Sequence, residues 1–174
     1  MNNKLTNDLR LHPHLPDHEP EPHAFMKRFM EMTLSIACKA RGLRLAPHFA
    51  ACGEGFTADF GAVVVNPKSV RLGDGVYLGR YVHIPDIPLI VEDHVLIGPY
   101  VTFVTSADHP AAATVLREGC WLAAHVTLRQ GVTIGAGSTV AAGSYVLEDV
   151  PDRVLVGGNP AAILKSYDRR SSSP

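Results

Sequence analysis

Between residues 116 and 146 an aliphatic side chain recurs at every sixth position: Leu116, Leu122, Leu128, Ile134, Val140 and Val146. Four places after each of the first five stand Cys120, Val126, Val132, Ser138 and Ser144, all small or β-branched. A helix repeats at about 3.6 residues and an alternating strand at about 2, so neither produces this pattern. A six-residue period predicts a parallel β-helix, in which each unit supplies one short strand and one corner of a coil.

Upstream, Phe60, Asn66, Leu72, Leu78 and Ile84 carry the same period. One extra residue around Pro85-Asp86-Ile87-Pro88 shifts the phase, and Val91, Ile97 and Phe103 resume it. Residues 104–115 interrupt the pattern. At three hexads to a coil, these anchors predict between four and five coils within residues 43–156. Gly73-Asp74-Gly75, Gly79-Arg80, Gly98-Pro99, Gly131 and Gly135-Ala136-Gly137 fall at the corners, where tight or left-handed turns are needed.

Before the repeats, Phe25, Phe29, Met32 and Ile36, with Met26, Met30 and Leu34, follow helical spacing, which predicts an N-terminal helix over residues 23–42 stopped by Gly42. A solenoid exposes an apolar cross-section and an open strand edge at its first coil, and this helix is the expected cover. Residues 1–22, rich in proline and histidine, read as a flexible arm, too loose for His12, His14 and His18 to cage a metal. After the repeats, Gly157-Gly158-Asn159-Pro160 has the form of a helix start, with Asn159 as N-cap and Pro160 in the first turn. A short C-terminal helix and tail are therefore expected over residues 157–174.

Composition adds limits. The chain has 174 residues, 46% hydrophobic, with a net charge of −1, which offers no long-range attraction to nucleic acid. Cys38, Cys52 and Cys120 form no CxxC and no even disulfide framework, which favours a reducing compartment, and Cys120 falls at an inward repeat position. No apolar run reaches the roughly 20 residues of a membrane span, and no signal-peptide pattern opens the chain, so a cytoplasmic location is expected.

Chemistry is sought first in the interruption. A loop that breaks a regular stack gives up core contacts, so it usually presents something, and this one contains Asp108-His109-Pro110. An imidazole with an unperturbed pKa near 6.5 can accept a proton at neutral pH, which makes His109 a candidate general base. His94 and His125 sit at corner positions, where histidine tolerates the left-handed conformation. The sequence leaves open whether His83 faces a groove.

The strings Cys120-Trp-Leu-Ala-Ala-His-Val-Thr-Leu-Arg-Gln-Gly-Val-Thr-Ile-Gly135, Ala142-Gly-Ser-Tyr-Val-Leu-Glu-Asp-Val-Pro151 and Val156-Gly-Gly-Asn-Pro-Ala161 resemble the hexapeptide-repeat acyltransferases of the galactoside and maltose O-acetyltransferase type. The resemblance implies a mainly β fold, a left-handed parallel β-helix that departs from the usual right-handed crossover. It also implies a homotrimer with active sites between subunits, acetyl-CoA as cosubstrate and no metal. His109 matches the family's general base, which deprotonates an acceptor hydroxyl for direct attack on the thioester. The backbone N–H of Ala124 matches the stabiliser of the developing oxyanion. Trp121 matches the residue along the pantetheine arm, Ala142 a backbone contact with CoA, and Lys165 a basic residue near its phosphates.

On the acceptor side, Asp86 aligns with a carboxylate-bearing turn, and Asp108 adjoins the base. Two departures stand out. Ala162 replaces an arginine that meets CoA phosphate, leaving Lys165, Arg153, Arg169 or Arg170 to supply that charge, and Gly79 or Arg80 falls where the family has an acceptor-binding asparagine. The expected activity is therefore acetyl transfer to a hydroxyl of a sugar, a polysaccharide unit or a similar small polar acceptor. The alternatives are N-acetylation of an amine, a γ-class carbonic anhydrase-like hydratase, and a non-catalytic scaffold. The hydratase needs closely spaced histidines, roughly His-x4-His, which His83, His94, His109 and His125 do not supply.

Overall fold

The computed structural model describes residues 36–108 and 110–167. Most of the expected N-terminal helix, the arm and His109 lie outside those residues. Helix α1 (Ile36–Leu45) and a 3-10 turn (Ala46–His48) lead into the solenoid. Its first coil comprises β1 (Ala51–Cys52), β2 (Thr57–Ala58) and β3 (Val63–Val64), and its second β4 (Val70–Leu72), β5 (Tyr77–Leu78) and β6 (His83–Ile84). The third holds β7 (Leu89–Val91), β8 (Leu96–Ile97) and β9 (Thr102–Val104), and the fourth β10 (Thr114–Leu116), β11 (Trp121–Leu122) and β12 (Thr127–Arg129). The fifth holds β13 (Thr133–Ile134), β14 (Thr139–Val140) and β15 (Tyr145–Val146), before β16 (Val154–Gly158) and β17 (Ala161–Ser166).

Each strand passes to the next wall, so every third strand pairs in parallel. Sheet A stacks β1-β4-β7-β10-β13, sheet C stacks β3-β6-β9-β12-β15, and sheet B runs β2-β5-β8-β11-β14-β16-β17. The anchors of successive coils stack inside: Leu72, Val91, Leu116 and Ile134 from sheet A, Leu78, Ile97, Leu122 and Val140 from sheet B, and Ile84, Phe103, Leu128 and Val146 from sheet C. All are buried, and this continuous column of apolar groups leaving water is the main stabilising term.

Five coils are complete, one more than the lower bound expected, because the first begins at Ala51 and not at Phe60. Phe60 is 56% exposed; Ala58 faces inward instead, and Val64 packs against the core in place of Asn66. The phase slips because a 3-10 turn at Pro67–Ser69, capped by the Asn66 side chain on the Lys68 N–H, adds residues to that coil.

Corner regularity is uneven. Between sheets A and B, Gly55, Gly75, His94, Gly119, Gly137 and Arg153 all have φ between 57° and 70°. Between sheets B and C, Gly61, Tyr81, Tyr100, His125 and Gly143 do the same, with φ from 55° to 76°. His94 and His125 thus occupy left-handed corners as expected. The third corner, between sheets C and A, takes every irregularity: the Pro67–Ser69 turn, the Pro85-Asp86-Ile87-Pro88 turn with Ile87 turned into the core, and residues 105–113. Those residues leave the wall after β9, and β10 returns in register with β7 below and β13 above.

Both ends of the stack are covered. The edge carbonyls of β2 have no coil beneath them, and α1 lies against them: Arg41 donates to the Ala58 carbonyl at 3.3 Å. Gly42 does not stop the helix. It lies within α1 and is buried, and a β-carbon there would collide with the Phe56 carbonyl. The expected C-terminal helix is absent among the described residues. Ala161–Ser166 is instead a strand antiparallel to β16, because β16 presents an unpaired edge whose peptide groups β17 satisfies. Gly157-Gly158-Asn159-Pro160 leads into a hairpin, with Gly158 at φ 105°.

Candidate active site

The insert at the third corner is tied to the coil above it. The side chain of Gln130, 3% exposed, accepts from the Ser106 N–H at 3.1 Å and donates to the carbonyls of Pro110 at 2.8 Å and Ala112 at 3.3 Å. Its own N–H donates to the Val104 carbonyl at 2.8 Å. Beside it, the Gly131 N–H donates to the buried Thr114 hydroxyl at 3.0 Å, and a β-carbon on Gly131 would come within 2.9 Å of Ala112 Cβ. These contacts bracket residues 107–109. Asp108 is exposed on that segment.

Asp86 lies at the same corner one coil below, also exposed, and accepts from Asn66 Nδ2 at 2.9 Å. The structure therefore brings Asp86 and the root of the insert to one edge. His83 projects from the outer face of sheet C in register with Thr102, adjacent to this corner. Arg129, aligned with Val104 at the start of the insert, has a buried Nε with no hydrogen-bond partner.

Trp121 lies elsewhere, on the outer face of sheet B. It pairs with Thr139, which pairs with Leu155, which pairs with Lys165, so Trp121 and Lys165 share one row across four strands. At about 4.8 Å per strand the row is roughly 14 Å long. Lys165 Nζ sits 5.8 Å from the Tyr167 ring, and Arg153 Nε donates to the Tyr167 carbonyl at 3.3 Å, so two cations gather at the upper end of the row. Ala162 faces Gly157 in the same hairpin, while Arg169 and Arg170 lie outside the described residues.

Ala124 and Ala142 occupy equivalent turn positions at the second corner, where the Gly143 N–H donates to the Ala124 carbonyl at 3.0 Å. The N–H groups flanking Ala124 are used: that of Ala123 on Val140 and that of His125 on Pro99. The Ala124 N–H donates to no described residue. Tyr81, Tyr100 and His125 stack along this corner with ring centroids 5.3 and 4.7 Å apart. The stack ends at Gly143, where a β-carbon would meet nothing within 4 Å, so an open niche adjoins Ala142. Arg80, in the same column of turns, pairs with Asp59 at 3.6 Å.

Within one chain the second and third corners stand at opposite edges of sheet C, separated by about 16 Å at roughly 3.3 Å per residue. The points where the insert leaves and rejoins the wall are thus at the corner away from Trp121 and Ala124 of the same chain. Burial pushes the Cys120 thiol far above its ordinary range, and that side chain is core and not a nucleophile. Among the described residues no group of three or more His, Cys, Asp or Glu could hold a metal ion, and no helix is long and apolar enough to cross a membrane.

The comparisons agree with this architecture. Residues 113–148 match the family described as "Bacterial transferase hexapeptide (six repeats)". A hexapeptide-repeat-containing acetyltransferase from Vibrio cholerae O1 biovar eltor, solved in complex with acetyl coenzyme A, is 32% identical with a TM-score of 0.66, over 85% of this chain and 86% of that one. The chain belongs to the hexapeptide-repeat acetyltransferases. Among individual relatives, the galactoside O-acetyltransferase of Lactococcus lactis subsp. lactis (strain IL1403) is 33% identical over 126 residues, 65% of this chain and 58% of that protein. The sophorolipid acetyltransferase of Starmerella bombicola is 42% identical over 118 residues, 57% of this chain and 45% of its own. The chain thus spans about half the length of these curated relatives.

Proposed function

We propose that this protein transfers an acetyl group from acetyl-CoA to a hydroxyl of a sugar, a polysaccharide unit or a similar small polar acceptor. The observation that carries the reading is the 32% identity, over 85% of the chain, with an acetyltransferase solved with acetyl-CoA bound. The geometry supports it from the chain's own residues. Trp121 would lie along the pantetheine arm, Lys165 and Arg153 would meet the phosphates at the far end of the same sheet-B row, and Ala142 would contact CoA through its backbone. A proton leaves the acceptor hydroxyl for His109, the hydroxyl oxygen attacks the thioester carbonyl carbon, and the Ala124 N–H holds the resulting oxyanion. Collapse breaks the C–S bond, and the thiolate takes the proton back from the imidazolium, so no acyl-enzyme forms.

Because His109 lies on the insert at the third corner and Ala124 at the second, a site using both is built from two copies. The same reading therefore has left-handed coils assembled as a homotrimer, with an insert from one copy facing sheet B of the next. In this reading Asp86 and Asp108 would orient the acceptor.

The test is thiol release from acetyl-CoA with a panel of galactosides, maltose, hydroxylated lipids and amines. Turnover is expected with a hydroxyl compound and should fall about 10²–10⁴-fold in His109→Ala. Equal activity in that variant would refute the base, and turnover confined to amines would transfer the reading to N-acetylation.

A further inference from the structure

The insert could present a base from a loop free to wander, yet its two limbs are pinned by a single side chain from a different coil. Gln130 follows β12 at the third corner, directly above the insert, and is buried. A primary amide is the one neutral side chain that offers an acceptor oxygen and two N–H donors from a single planar head. Here all of that capacity is used on the insert: the oxygen on the Ser106 N–H, the nitrogen on the carbonyls of Pro110 and Ala112.

Ser106 and Pro110 are the two ends of a bridge whose only residues are 107–109. Fixing both ends of so short a bridge removes most of its backbone freedom. The wall supports the amide in turn, through the Gln130 N–H on Val104 and the Gly131 N–H on Thr114. An apolar side chain of equal size would leave the buried Ser106 N–H without its partner and release the carbonyls of Pro110 and Ala112.

We infer that Gln130 is a positioning residue for acetyl transfer: by clamping Ser106 to Pro110 and Ala112 it fixes the three-residue bridge that carries His109. The inference rests on His109 being the base. With its amide engaged on the insert, Gln130 would act through His109 and not on the reacting atoms. Its effect belongs in kcat, because a base displaced by about 1 Å can slow the chemical step up to 10²-fold while ground-state binding is unchanged.

The experiment uses the full chain and the Gln130→Met and Gln130→Asn variants, with His109→Ala as reference and the best acceptor of the panel. Gln130→Met is expected to lower kcat about 10–100-fold with KM for acetyl-CoA within twofold. The shorter amide of Gln130→Asn should recover part of that loss. Amide hydrogen exchange at Ser106 should accelerate at least tenfold in Gln130→Met, with the Leu128 and Ile134 amides unchanged. An unchanged kcat, or a rise in KM alone, overturns the inference if His109→Ala is inactive. If His109→Ala is fully active, the base assignment fails instead. Should the wild type acetylate nothing in the panel, unchanged Ser106 exchange in Gln130→Met still overturns the clamp, and faster exchange retains it.

Discussion

Two corners of this prism are monotonous and the third is not. At the first and second, every coil spends one left-handed residue, and successive turns stack with the same backbone hydrogen bond from coil to coil, for example His94 N–H to Asp74 and Tyr100 N–H to Arg80. Carboxylates reinforce the first, with Asp74 accepting from the Glu54 N–H at 2.7 Å and Asp93 from the Asp74 N–H at 2.8 Å. At the third corner the repeat step from coil to coil changes repeatedly: Cys52 pairs with Leu72, Leu72 with Val91, Val91 with Leu116 and Leu116 with Ile134. Confining the insertions to one corner leaves the three walls in register, so a functional loop can be added without disturbing the core. In the proposed reading, chemistry that needs the regular sheet B and the variable third corner together would be obtained by placing two copies side by side.

The contrast can be broken by substitution. His109→Ala, at the third corner, should remove about 10²–10⁴ of the rate while leaving unfolding by urea unchanged. Leu128→Ala, in β12 two residues before Gln130, should do the reverse in kind: a loss of about 2–5 kcal/mol of stability, because the side chain is fully buried between Phe103 and Val146. A glycine pair sharpens the comparison further. Gly137→Ala, at φ 62° on the first corner, should cost about 1–2 kcal/mol and no activity. Gly131→Ala, at φ 88° and against Ala112, should lower both stability and kcat, since the insert must shift to admit the methyl.

A further effect is alkaline. Burial raises the Cys120 thiol pKa in the folded chain, so the neutral form is favoured there and its stabilisation is complete below the unfolded value of about 8.5. Above that pH the unfolded chain loses a proton that the folded one keeps, and stability should decline by about 1.4 kcal/mol per pH unit from this group. Urea unfolding at pH 8 and pH 10 should show a steeper decline in wild type than in Cys120→Ala.

What could be read from the residues alone follows the same division. The six-residue period was legible because a wall strand must place an apolar side chain inward at each pass, as Leu116 to Val146 do. Phe60 misled because an exposed aromatic, packed edge-on to Tyr81 at 5.7 Å, happens to share the period two residues out of phase. The helix expected after Asn159 failed for a non-local reason: the cap signal is local, whereas the open edge of β16 is created by the whole stack. Gly42 serves close packing on β2 and not termination. The insert was visible as a break in the pattern, and Trp121 only through the family resemblance. The row from Trp121 to Lys165 and the clamp at Gln130 were not, because both depend on which coil lies over which, and that register is set by insertions whose lengths carry no periodic signal.

Mixing two inactive variants tests the account at its centre. His109→Ala and Trp121→Ala subunits are unfolded together, refolded as a mixture, and assayed at acetyl-CoA below the wild-type KM. If each site joins the insert of one copy to sheet B of the next, random assembly should restore about one quarter of wild-type activity. A mixture no more active than its separate components would contradict a site shared between copies.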